Sequence, residues 1–275
     1  MNWQQKLWKG GQTFFYAVRP LLLYLIVPGM IHLVLSFFMP YTPQNPQYQR
    51  STGNFYNCVG TLLAAYLLHR ISKKRGSSIC KDTTLILEHP DWMEMGLCSG
   101  FGAALALMFA ASLSVLPLPS FLIKPYEADS MQVFFQLDFV LAILNLVVVC
   151  PIMEEVVVRG YMLNRLLEFF TQKQAIVLSA VVFACCHVNP LWIFYSFFLG
   201  IYMAKLALKK DNILYSLCFH IGFNIPAAVN ACIVHAGLGD SVFFKSKVLI
   251  ALYGAVSAVS AVLIYRQLKK EEGAS

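Results

Sequence analysis

Two adjacent glutamates, Glu154 and Glu155, sit with Arg159 in the run PIMEEVVVRGYM (151–162), inside one of the most apolar regions of the chain. Two histidines follow, His187 at the end of FACCH and His220 at the start of HIGFN, a run that closes on Asn224. An ionised carboxylate is costly in hydrocarbon, so charge at membrane depth marks a functional site unless it only holds helices together. Each cluster contains an i, i+4 pair: Glu155–Arg159, Phe183–His187 and His220–Asn224. On a helix that spacing places both members on one face. A carboxylate, an imidazole and an amide are the parts needed to hydrolyse an acyl centre with water. Glu154 would take a proton from a water held between it and His187. His220 and the amide of Asn224 would donate to the developing oxyanion. Arg159 would keep Glu155 ionised and orient the motif, although a purely structural ion pair accounts for these two residues equally well. No Ser-His-Asp, Cys-His or GxSxG arrangement competes.

The elements that must position these residues are membrane helices. Of 275 residues 58% are hydrophobic and 13% charged, and the mean hydropathy is +0.63. A soluble domain is nearer a quarter charged. The apolar residues come in long unbroken runs, which argues against a β-barrel. The expected fold is all-α: one polytopic membrane domain over 1–275 with about eight transmembrane helices and an intramembrane active-site cavity. The spans read as 14–38, 54–71, 93–116, 132–158, 174–189, 190–209, 212–234 and 246–265. Polar, basic or proline-rich linkers separate them at 40–54, 70–82 and 117–130. Between Lys173 and Lys205 the chain carries no formal charge for 31 residues. One helix of that length would run about 46 Å. Asn189-Pro190 offers a break, and two short helices in a hairpin sunk in the membrane are expected there. Pro151 removes a backbone donor, which leaves the Val147 carbonyl short of its partner and predicts a kink.

Depth can be counted along each helix. Glu154 lies about 16 Å from Arg165, His220 about 15 Å from Lys210 and His187 about 20 Å from Lys173, at 1.5 Å per residue. Three separately counted helices thus bring their polar residues to the middle of a ~30 Å core. His32, His69, His89 and His235 lack such company and are assigned no chemistry. The formal charge of +7 is topogenic rather than a nucleic-acid signal. Eight spans with cytoplasmic N- and C-termini put the basic clusters (Lys6 to Arg19, 70–81, Arg165–Lys173, Lys205–Lys210, Arg266–Lys270) on one side. Arg50, Lys124, Lys245 and Lys247 remain on the other. The eight cysteines form no CxxC pair, and most lie in or beside apolar runs as small hydrophobes. The N-terminus lacks a clear cleavable signal, so the first apolar run is expected to stay as a helix.

The three motifs, EEVVVRG (Glu154 to Gly160), FACCH (Phe183 to His187) and HIGFN (His220 to Asn224), resemble in type and order the EExxxR, FxxxH and HxxxN motifs of the CPBP family. These are CAAX-prenyl-protease-like intramembrane glutamic endopeptidases, also called Abi proteins. The resemblance covers about 135–230. It implies Glu154 as the catalytic base, His187 as its partner in holding water, His220 and Asn224 at the oxyanion, and Glu155 with Arg159 as the supporting pair. It also implies proteolysis without a metal or other cofactor. The substrate would be a membrane-associated peptide or protein: a prenylated CaaX protein, or a leader or bacteriocin-type peptide. The lipid bilayer is a further expected partner, and the placement of the basic clusters leads us to expect no nucleic acid. Two alternatives stay open on the residues alone. Glutamates and histidines could ligate zinc or iron in a metal-dependent protease, although HExxH is absent and Arg159 is an awkward neighbour for a cation. A non-catalytic membrane immunity or scaffold protein is the other.

Overall fold

A computed structural model describes residues 3–38, 46–88, 90–126, 139–187, 189–238 and 247–274. Its elements are helices: α1 (Trp3–Phe38), α2 (Pro46–Lys74), the single turn α3 (Ile79–Asp82), α4 (Trp92–Val115), and α5, a helical path over Phe139–Leu167. Then follow α6 (Gln172–Cys185), α7 (Pro190–Lys210), α8 (Ile213–His235) and α9 (Lys247–Ala274). No strand occurs among the described residues.

Six of these helices are long and apolar enough to cross a membrane: Gly11–Leu35, Trp92–Val115, Phe139–Leu167, Pro190–Lys210, Ile213–His235 and Val248–Lys269. The protein is an integral, multi-pass, all-α membrane protein. Two expected spans fall short of that standard for visible reasons. The 54–71 segment is helical but interrupted by Asn54, Asn57, His69 and Arg70, and α6 has only 14 residues. The break at Asn189-Pro190 is present, with the Asn189 side chain accepting from the Leu191 N–H at 2.9 Å. The helix after it has 21 residues, long enough to cross by itself, so the hairpin is not made of two short arms.

Helix ends follow local chemistry. Thr171 and Gln174 form a capping box at the start of α6, and Asp91 accepts from the Glu94 N–H at 3.0 Å to start α4. Pro46 opens α2, where its missing N–H costs nothing. That helix takes 46–54 from the expected linker; the remaining 40–45 lies outside the described residues, as do 132–138 of the fourth expected span and 127–130 of the third linker. His89 and Lys245 lie outside them too. Helix α1 starts at Trp3 rather than near 14.

The chain packs as two compact units. The first comprises Met1–Ile86, Ile152–Val188 and Trp192–Ile213. In it α1 pairs with α2, and both α1 and α6 pack on the second half of α5. Val157, Met162, Leu163, Leu166 and Ala180 are fully buried there. Outward faces remain apolar, as at Phe15, Leu33, Leu62 and Phe198, each more than half exposed, which suits a hydrocarbon surround.

The second unit comprises Leu87–Pro151, Asn189–Leu191 and Leu214–Ser275, and in it α4 packs along α9. Helix α4 also crosses α8 at backbone contact. A Cβ on Gly102 would stand 2.8 Å from the Phe223 nitrogen, and one on Gly222 would stand 2.6 Å from the Ser99 carbonyl carbon. Only glycine admits so close a crossing, and membrane helices without a hydrophobic drive to associate rely on such packing. Phe101 fills the flank against Phe219 and Tyr265, with ring centroids 5.7 and 5.8 Å away. The register of α8, which carries His220 and Asn224, is fixed by these contacts.

Candidate functional site

Helix α5 is not a regular α-helix. It widens into π-helix at Asn145–Val149, returns to α-helix over Cys150–Glu154, and widens again over Glu155–Leu163. Such π segments are rare and occur disproportionately at functional sites. Glu154 ends the regular turn and Glu155 begins the second wide one. The expected consequence of Pro151 is therefore displaced. In the wide register the Cys150 N–H bonds the Asn145 carbonyl, five residues back. The carbonyl receiving a side-chain donor is that of Leu146, to which Asn224 Nδ2 donates at 2.8 Å.

Glu155 and Arg159 meet within the second wide stretch. Arg159 Nη1 donates to Glu155 Oε1 at 2.8 Å, with both side chains fully buried. Arg159 Nε and Nη2 meet no hydrogen-bond acceptor among the described residues. The guanidinium lies instead over the ring of Phe183, 4.2 Å from its centroid, a desolvated cation–π contact. Phe183 serves His187 as well. Its carbonyl lies 3.0 Å from His187 Nδ1, and the two rings meet edge to face with centroids 5.0 Å apart. With a proton on Nδ1, that ring donates to the Phe183 carbonyl and presents Nε2 as an acceptor.

Glu154 and His187 line one cavity of about 200 Å³. Its walls are Leu21, Tyr24, Leu25 and Pro28 of α1, Asn57 of α2, Val158 of α5, Phe183 of α6, and Cys186. Apolar surface thus surrounds a carboxylate, an imidazole, a phenol and an amide, the composition expected where a few polar groups orient a ligand. Sequence reasoning missed Tyr24 and Asn57, because no spacing rule ties α1 and α2 to the later motifs. Among the described residues no group of three or more His, Cys, Asp and Glu side chains is gathered as a metal-ligand set.

The basic loop after α2 is folded onto the same helix. Asp82 accepts from Ser72 Oγ and Ser77 Oγ, each at 2.5 Å, and Ser72 Oγ also meets Tyr161 Oη at 2.6 Å. Thr83, fully buried, fills the space that a side chain at Gly160 would need. Asn212 closes the far end, donating to the Ile86 carbonyl at 3.0 Å and accepting from its N–H at 3.3 Å. Arg165 secures the next turn by donating to the Tyr16 carbonyl at 2.8 Å and lying 4.6 Å from that ring's centroid.

Glu154, Glu155, Arg159 and His187 thus lie in the first unit. His220 and Asn224 lie in the second, four residues apart on α8, with His220 buried at 8% exposure. Residues 136–226 match the protein family described as Rce1-like, type II CAAX prenyl endopeptidase. No curated protein and no solved structure matches the chain.

Proposed function

Residues 136–226 match the Rce1-like type II CAAX prenyl endopeptidases, a protease family, and from that match we propose that this chain cuts a membrane-associated peptide as a glutamate-dependent, metal-independent endopeptidase. The observation that carries the reading is the shared cavity: Glu154 and His187 line it together, and His187 Nδ1 is held by the Phe183 carbonyl. Glu154 takes the proton of a water whose oxygen attacks the scissile carbonyl, and returns it to the leaving amine as the C–N bond breaks. His187 orients that water through Nε2. The oxyanion roles of His220 and Asn224 rest on the likeness of HIGFN to the family motif. Substrates of this chemistry are prenylated CaaX peptides, with leader-type peptides as the competing class.

The test is cleavage of a peptide panel by the detergent-solubilised protein, with and without a strong chelator. A farnesylated CaaX peptide cut equally in both supports the reading, and the peptide that is cut names the substrate. Loss of cleavage on chelation, with recovery on adding zinc, would replace it with a metal-dependent protease. Within the site, His187→Ala should lower kcat by about 10³-fold. Asn224→Ala should cost about 10²-fold, because His220 still donates to the oxyanion. The reverse order would show the roles misassigned.

The placement of the basic clusters supports cytoplasmic N- and C-termini. Single cysteines placed at either end of a cysteine-free variant should resist an impermeant maleimide in intact cells and react after lysis. Labelling in intact cells would reverse the orientation.

A further inference from the structure

Proline at 151 has a consequence that reaches another helix. In the wide turns of α5 the Cys150 N–H is spent on the Asn145 carbonyl. The Leu146 carbonyl would take its donor from residue 150 in an α-helix or from residue 151 in a π-helix. The first is already engaged, and Pro151 has no N–H to give. Backbone carbonyls away from water need a partner. Asn224 supplies it, donating Nδ2–H to Leu146 O at 2.8 Å across 78 residues of chain. Both residues and Pro151 belong to the same compact unit.

A carboxamide is planar and carries two N–H donors on one nitrogen. Fixing one of them on a backbone carbonyl fixes the plane and hence the direction of the other. Helix α8 cannot slide to release this bond, because Gly222 and Gly102 lock it at backbone contact with α4. We propose that Pro151 is a positioning residue: by emptying the Leu146 carbonyl it fixes the plane of the Asn224 amide and with it the direction of the second Nδ2–H. This rests on the reading that Asn224 donates to the oxyanion. In Pro151→Ala the new N–H serves the α5 backbone, the Leu146 carbonyl regains a donor from its own helix, and Asn224 loses its sole claim on it.

The experiment has two arms on the full chain in detergent, using wild type, Pro151→Ala, Asn224→Ala and the double variant. The thermal arm needs no substrate. Asn224→Ala should lower the midpoint by about 2–4 °C in the wild-type background and by much less in the Pro151→Ala background. The kinetic arm uses a farnesylated CaaX peptide. Pro151→Ala should lower kcat about tenfold with KM nearly unchanged, and the double variant should be no slower than Asn224→Ala alone. Additive thermal shifts, or kinetic losses that multiply, overturn the proposal. Thermal coupling with kcat unaltered in both single variants also overturns it, and removes Asn224 from the reaction. Failure of the glutamate reading is separate: it shows as turnover retained in Glu154→Gln, which leaves the thermal coupling untouched.

Discussion

Glu154→Gln is expected to yield a protein that folds and inserts but turns over at about 10⁻³ of the wild-type rate or less. The substitution keeps size and shape, so the cavity that Glu154 shares with His187 keeps its walls. On the proposed mechanism, what is lost is the group that accepts a proton from water, since a carboxamide is not a base. The loss should fall on kcat, with KM little changed, because the proton moves only as the transition state is reached. An unchanged thermal midpoint in the same preparation separates lost chemistry from lost fold. Turnover within tenfold of wild type would remove Glu154 from the base role.

The second large effect concerns stability. Arg159→Leu leaves the Glu155 carboxylate buried without its cation, at a cost of about 3–5 kcal/mol. Replacing both partners, in Glu155→Leu with Arg159→Leu, should recover most of that loss, because the uncompensated charge is gone. Arg159→Lys is the more informative variant. It keeps the charge but gives up the guanidinium that lies over Phe183, 4.2 Å from its centroid, and with it about 2 kcal/mol of desolvated cation–π attraction. The Phe183 carbonyl also holds His187, so the lysine variant should lose activity at temperatures where it is still folded. Thermal melts and turnover measured together decide this. Wild-type behaviour of Arg159→Lys would show that the guanidinium–Phe183 contact is not needed.

The sequence revealed the features whose physics is local. The membrane class followed from composition, and the Glu155–Arg159 pair followed from i, i+4 spacing. Counting rises placed Glu154 and His187 at one depth, and one cavity holds both. Proline-151 was legible as a disturbance but not as the one that occurs. The wide stretch after it is packed against residues distant in the chain, Thr83 at Gly160 and Phe183 at Arg159, which no local pattern reveals. Tyr24 and Asn57 were illegible for the same reason: an aromatic and an amide on apolar helices read as packing until the helices are laid together. Polar interruptions kept 54–71 below the standard of a clear span, although its place in the first unit beside α1 is that of a structural helix.

The walls of the cavity come from two parts of the chain with different standing. Glu154, Val158, Phe183, Cys186 and His187 lie inside the family-matching residues 136–226, while Leu21, Tyr24, Leu25, Pro28 and Asn57 lie well before them. The chemistry proposed for Glu154 and His187 and part of the cavity wall are therefore carried by different stretches of the chain. An excised 136–226 segment would keep Glu154, Val158, Phe183, Cys186 and His187 and lose the wall that the first two helices supply.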